Sequence, residues 1–88
     1  MLSEMFKLKI VDKPNPANNW VAFDYQLPFN ATEGVIKITD MAGKVLETIP
    51  VTSSIGQKVW DVRHIQSGVY IYILESGGYK KSGKLIIQ

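Results

Sequence analysis

Asp61, His64 and Ser67 stand within one short stretch of the chain. Ser, His and Asp are the side chains of nucleophilic hydrolysis: the hydroxyl attacks, the imidazole takes its proton and the carboxylate holds the imidazole in place. In such enzymes the three groups converge from separate elements, with the nucleophile on a strained elbow beside glycine-rich oxyanion donors. Here they follow one another through a single strand-to-loop exit before Gly68, so His64 reads as a solvated loop histidine. Asp12, Asp24, Asp40 and Asp61 are scattered one per strand end. That spacing offers neither the facing carboxylates of a glycosidase nor the acidic cluster of a calcium site. The absence of Cys removes thiol catalysis, cysteine-ligated zinc and redox roles, and a single His cannot supply a two-histidine metal site. We expect no enzyme, no metal and no cofactor.

Trp20, Tyr25, Trp60 and Tyr72 could instead stack on a sugar or a base. The second strand decides between them by parity: Val21, Phe23, Tyr25 and Leu27 alternate with Trp20, Ala22, Asp24 and Gln26, which predicts a core stripe and an outward stripe. Trp20 therefore faces out and is the candidate for a surface contact. Trp60, inside the short run Lys58-Val59-Trp60-Asp61, is expected to be the largest piece of the core. Asn30-Ala31-Thr32 matches a glycosylation sequon, but a three-residue pattern is weak evidence.

The elements that must position these residues are strands. Val, Ile and Thr supply 22 of the 88 residues, and side chains stiff at χ1 favour pleated backbone over helix. Turn residues cut the chain into seven runs, 6–11, 20–27, 35–40, 44–51, 57–62, 69–75 and 79–87. That regular spacing of short strands predicts an all-β, Ig-like β-sandwich of about seven antiparallel strands. Lys13-Pro14-Asn15-Pro16-Ala17 holds two prolines that remove backbone donors, so pairing must stop at a fixed corner. Met41-Ala42-Gly43 between Asp40 and Lys44 predicts a three-residue hairpin loop with Gly43 at positive φ and Asp40 bonding its own backbone. The register expected from that loop sets Ile38 opposite Leu46 and Lys37 opposite Glu47. Ser76-Gly77-Gly78-Tyr79 predicts a type I′ turn with Glu75 facing Lys80. Beyond it, Tyr70, Tyr72, Leu74, Leu85 and Ile87 should share the buried face. Val69, Ile71 and Ile73 share the other face with Lys80, Ser82 and Lys84, which suggests a central position for both strands.

Composition bounds the rest. A chain of 88 residues is one small domain whose core must be continuous, since no disulfide assists it. The net charge of +2 is spread along the length and interleaved with acids, unlike the concentrated stripe that phosphate backbones select, so nucleic acid is not an expected partner. No apolar run approaches the roughly 20 residues of a membrane helix, and the start lacks the layout of a signal peptide.

Four landmarks occur in order: Pro14-Asn15-Pro16-Ala17, then Ile38-Thr39-Asp40-Met41-Ala42-Gly43-Lys44-Val45, then Gly68-Val69-Tyr70-Ile71-Tyr72, then Gly83-Lys84-Leu85-Ile86-Ile87-Gln88. Together they resemble the type A carboxy-terminal sorting domain of the type IX secretion system, found on cargo proteins of Bacteroidota-type Gram-negative bacteria. The resemblance runs from about Ile10 to Gln88. It implies a non-catalytic sorting signal at the end of a larger secreted protein, with the cargo domain on its amino-terminal side. The implied partners are the outer-membrane translocon and a sortase-like peptidase that removes the domain and couples the cargo to surface lipopolysaccharide. The implied location is secreted or at the cell surface, reached through the periplasm and outer membrane. Carried over residue by residue, Pro14, Asn15, Pro16 and Lys84, Leu85, Ile86, Ile87, Gln88 are the recognition residues, while Asp40, Gly43, Lys44, Gly68 and Tyr70 form the structural motif. Turn geometry accounts for the glycines, the prolines and Asp40, and the core for Tyr70, which leaves Lys84 and the exposed end of the last strand for recognition.

That strand carries Lys80, Lys81 and Lys84 without an acid. At a sheet edge it would invite a partner by strand addition, self-association included. Residues 1–6 read as an expression start or linker stub and 7–88 as the sorting domain, with the family's processing site expected ahead of the fold. The alternative is an accessory Ig-like module of a modular secreted enzyme, a spacer or a carbohydrate binder acting through Trp20.

Overall fold

The computed structural model describes residues 8–88, the side chain of Asn30 excepted. Seven strands follow one another, β1 (Lys9–Lys13), β2 (Trp20–Gln26), β3 (Gly34–Thr39), β4 (Val45–Val51), β5 (Ile55–Asp61), β6 (Gly68–Ser76) and β7 (Tyr79–Ile87), with one 3-10 turn at Pro28–Asn30. They form two antiparallel sheets, β1-β2-β5 and β4-β3-β6-β7, stacked as an Ig-like sandwich. The expected first strand, 6–11, lies at 9–13. Its first two positions, and the whole of the 1–6 segment, fall outside the described residues.

The seam between the sheets follows the parity of the strands. Val21, Phe23, Tyr25 and Trp60 from one sheet meet Ile36, Ile38, Tyr72, Leu74, Leu85 and Ile87 from the other, all buried. The Phe23 and Tyr72 rings sit 5.3 Å apart and tilted by 57°, the edge-to-face range in which aromatic quadrupoles attract. Tyr72 Oη donates across the seam to Asp12 Oδ1 at 3.1 Å. Its ring lies over its cross-strand partner Gly83, where an added Cβ would stand 2.2 Å from the phenol oxygen. Tyr25 lies over Gly56 in the same way, and its hydroxyl is 2.7 Å from Ser53 Oγ. Two wide rings thus fit the seam because the strand beside each has no side chain at that position.

The hairpin turns form as their residues require. Gly43 takes φ +90°, Gly43 N donates to the Asp40 carbonyl, and Asp40 Oδ1 accepts from the backbone N–H of Ala42 and Lys44, each at 2.9 Å. Gly77 and Gly78 take φ +56° and +87°, and Glu75 pairs with Lys80 in the ladder beyond them.

Three expectations need correction. The pairs Ile38–Leu46 and Lys37–Glu47 do not form, because the ladder shifts between Ile38 and Thr39: Thr39 pairs with Val45 and Ile38 with Glu47. Leu46 is the unopposed bulge residue, and Lys37 turns to Glu75 on β6, 3.1 Å away. Ala22, outward by parity, is buried, since Lys13 and Val59 flank it in the ladder and Trp20 stands one pleat away on the same face. Among the described strands the sixth and seventh do not both sit centrally: β6 lies between β3 and β7, and β7 is an edge.

Candidate functional site

All four landmarks gather at one end of the sandwich. β7 runs away from the Ser76–Tyr79 turn and spans about 30 Å at the usual rise of a strand. Its last residue, Ile87, pairs with Gly68 at the start of β6. Thr39 pairs with Ile71, which puts the Asp40–Lys44 loop at the same end, and Asp40 shares a surface depression with Gln66 and Tyr70. Tyr70 is buried and its hydroxyl donates to the carbonyl of Gln66, four residues upstream. This is the tyrosine corner that closes the approach to the sixth strand of Ig-like sandwiches. It gives Tyr70 a bonding duty beyond the core role expected of it.

The entry corner completes this pole. Lys13–Pro14 and Asn15–Pro16 are cis peptides, and Pro14, Asn15 and Pro16 are exposed. Ala17, fully buried, pairs in parallel with Ile87: its N–H donates to the Ile86 carbonyl at 2.9 Å and its carbonyl accepts from Gln88 N at 2.8 Å. The last residues of the chain are therefore not an open edge, which corrects the expectation of an exposed, unpaired end. Leu85 and Ile87 are buried in the core, while Lys84, Ile86 and Gln88 face solvent.

Because Ile86 and Gln88 spend their outward groups on Ala17, strand alternation assigns the same outward direction to the N–H and C=O of Lys80, Ser82 and Lys84. No described residue bonds to that segment from outside. Lys37 and Lys80 both reach Glu75, at 3.1 and 3.4 Å, and the Lys37 contact first, then Lys80, holds the Glu75 carboxyl below its usual value. Lys81 and Lys84 make no ion pair among the described residues.

Nothing here assembles catalytic chemistry from the residues that suggested it. Asp61 is taken by Arg63 in a two-pronged pair, Nη2 to Oδ2 at 2.6 Å and Nε to Oδ1 at 3.0 Å, and a bond from the Arg63 N–H adds to it. Those bonds hold its carboxyl far below the ordinary carboxylate range. No hydrogen bond among the described residues links His64 to Asp61 or Ser67, and no group of three potential metal ligands occurs among them.

Fold and site together define an Ig-like module whose distinctive residues form a surface rather than a pocket. The secretion system C-terminal sorting domain model matches residues 14–88, and the chain belongs to that family. It is a carboxy-terminal sorting signal of type IX secretion, a tail that engages the secretion machinery and directs its cargo protein to the cell surface or beyond through the outer membrane. Domains of this family are generally non-catalytic. Among solved structures the chain is similar to dimeric latent PorU from Porphyromonas gingivalis, with TM-score 0.71 and 20% identity over 91% of this chain. At that identity the likeness speaks to the fold, and the chain spans 9% of that protein's length. No curated protein matches the chain.

Proposed function

We propose that the translocon reads the pole where the chain ends, as one composite surface: the exposed Pro14–Asn15–Pro16 corner, the outward side chains of Lys84, Ile86 and Gln88, and the open segment of the β7 edge beside them. The observation that carries this reading is the Ala17–Ile87 bridge. It joins residues 70 positions apart into one site and, among the described residues, leaves Lys80–Lys84 as the stretch of β7 open to strand addition. Leu85 and Ile87 hold the surface from beneath and do not touch the partner. The module itself performs no chemistry, and its removal by a sortase-like peptidase takes place amino-terminal to the fold.

The test is export of a reporter fused to the whole chain, because a fusion starting at residue 14 would strip β1 and with it Ile10 and Asp12. In a host with this pathway the parent fusion should reach the surface. A Lys84→Glu fusion, still folded, should remain in the periplasm. Normal delivery of that variant would remove Lys84 from the recognition surface.

A further inference from the structure

The outer face of the β1-β2-β5 sheet carries a feature that the proposed recognition surface meets only at Pro14. Trp20 is 50% exposed, and its indole forms a wall between two open-sided depressions. One is lined by Asn19, Val59, Asp61 and Arg63, the other by Lys13, Pro14, Ala22 and Gln57. Their volumes, about 600 and 410 Å³, fall within the roughly 300–1,000 Å³ of small-molecule sites. The second depression exists because β2 places the small Ala22 outward, between Lys13 and Val59 in the ladder.

The charged groups around the indole are already paired. Arg63 holds Asp61 at 2.6 Å on one side. Lys13 holds Asp24 at 2.8 Å on the other, where Gln57 Nε2 also donates to Asp24 Oδ1 at 2.7 Å. Each side is electrically closed, and that selects the ligand. An anion would have to displace Asp61 from Arg63 or Asp24 from Lys13. An apolar peptide surface would strip water from four charges and return no hydrogen bonds. A sugar hydroxyl donates and accepts at once, so it joins such pairs without breaking them. The C–H face of a pyranose ring suits the negative face of an indole.

We propose that Trp20 and its two flanking ion pairs form a binding site for a neutral oligosaccharide, with sugar rings stacked on the indole and hydroxyls bonded to the Asp61–Arg63 pair on one side and to the Lys13–Asp24 pair and Gln57 on the other. The site lies on a sheet face away from the β7 edge and meets the proposed recognition surface at Pro14.

Titration of the ¹⁵N-labelled 88-residue chain with cellopentaose and with mannopentaose, followed by NMR, tests this. Trp20 and Trp60 are the two indoles of the chain. One of the two sugars should move the Trp20 indole N–H and the amides of Ala22, Val59 and Arg63 along a saturable curve, with affinity on the order of 1 mM, while the buried Trp60 indole stays still. Trp20→Ala should weaken binding about tenfold or more, and Trp20→Tyr should restore part of it. The anionic control, pentagalacturonate, should bind more weakly than the neutral sugar. Absence of saturation with both neutral sugars up to about 20 mM would overturn the proposal. So would unchanged affinity in Trp20→Ala, or preference for the galacturonate.

Discussion

The two sides of β7 follow different rules. Its inward positions, Gly83, Leu85 and Ile87, enter the seam between the sheets, where every atom has a neighbour and one of the residues must have no side chain at all. Its outward positions, Lys80, Ser82 and Lys84, lie on a face where the side chains stand in water and the backbone of this segment has no partner strand among the described residues. On the reading proposed above, stability is concentrated on the first side and recognition on the second. Because successive residues of a strand alternate between the two, a single strand can carry both without either constraining the other. The sharp form of this contrast is that substitutions on the seam should lower stability, and with it export, whereas substitutions on the outer side should change export alone.

The seam breaks hardest at Trp60. It is 7% exposed and packs within the central cluster, so Trp60→Ala should cost about 3–5 kcal/mol, a large share of the roughly 4–13 kcal/mol that a domain of this size possesses. Urea titration followed by circular dichroism would show it. A loss under about 1 kcal/mol would put the centre of the core elsewhere. Gly83→Val comes next, since its Cβ would meet the Tyr72 ring well inside contact distance. Overpacking of this kind costs about 1–3 kcal/mol, and a paired Tyr72→Leu change should recover part of that loss by opening the space.

The hydroxyl of Tyr72 offers a gentler probe of the same seam. Burial first, and the neighbouring Asp12 carboxylate next, push it up from its ordinary 10 to about 12. A phenol whose folded value is raised favours the folded state fully below pH 10, and the benefit is lost as pH climbs through 12. The stability difference between the parent and Tyr72→Phe should therefore shrink over that alkaline window when denaturation is repeated from neutral pH upward. A difference that stayed constant would detach the hydroxyl from the seam. At the rim, Gly43 has open space where a Cβ would go but φ +90°, so Gly43→Val should cost on the order of 1–2 kcal/mol and Gly43→Asn clearly less. Equal thermal shifts would contradict the left-handed requirement of the Asp40–Lys44 loop.

How far the sequence disclosed this division depends on the distance over which each feature is written. Seven strands, the Gly43 loop, the Gly77–Gly78 turn and the inward stripe of β2 are local: parity and turn chemistry act over a few residues and can be read there. The bulge at Leu46 could not be read, because the loop that precedes it is compatible with a ladder of either register and packing beyond the hairpin decides. Gly56 and Gly83 gave no sign of their role either, since each is explained by a tyrosine on a neighbouring strand. The pairing of Ala17 with Ile87 is the most remote of these features. The prolines mark a corner, but nothing in their vicinity says which strand it will meet. The candidate site is thus legible as a set of residues and illegible as a surface, and only the surface shows Leu85 and Ile87 buried beneath an exposed Lys84.

The smallest expected effect on stability separates the two sides of β7 most cleanly. Lys84 and Lys81 are both exposed lysines on one strand, yet Lys84 pairs with the outward Ile71 and Lys81 with the inward, fully buried Leu74, so their side chains leave the strand in opposite directions. Lys84→Glu and Lys81→Glu change the net charge equally, and each should cost under about 0.5 kcal/mol. If a partner reads the outer side, Lys84→Glu should stop surface delivery of the fused reporter while Lys81→Glu lets it continue. Equal loss in both would mean that the strand acts only through its total positive charge, as long-range attraction does, and that loss should then fade as salt screens it. Equal delivery in both would move recognition to the Pro14–Pro16 corner, where Asn15→Asp is the corresponding charge change. The comparison stands only if two substitutions that thermal denaturation cannot tell apart differ in where they leave the cargo.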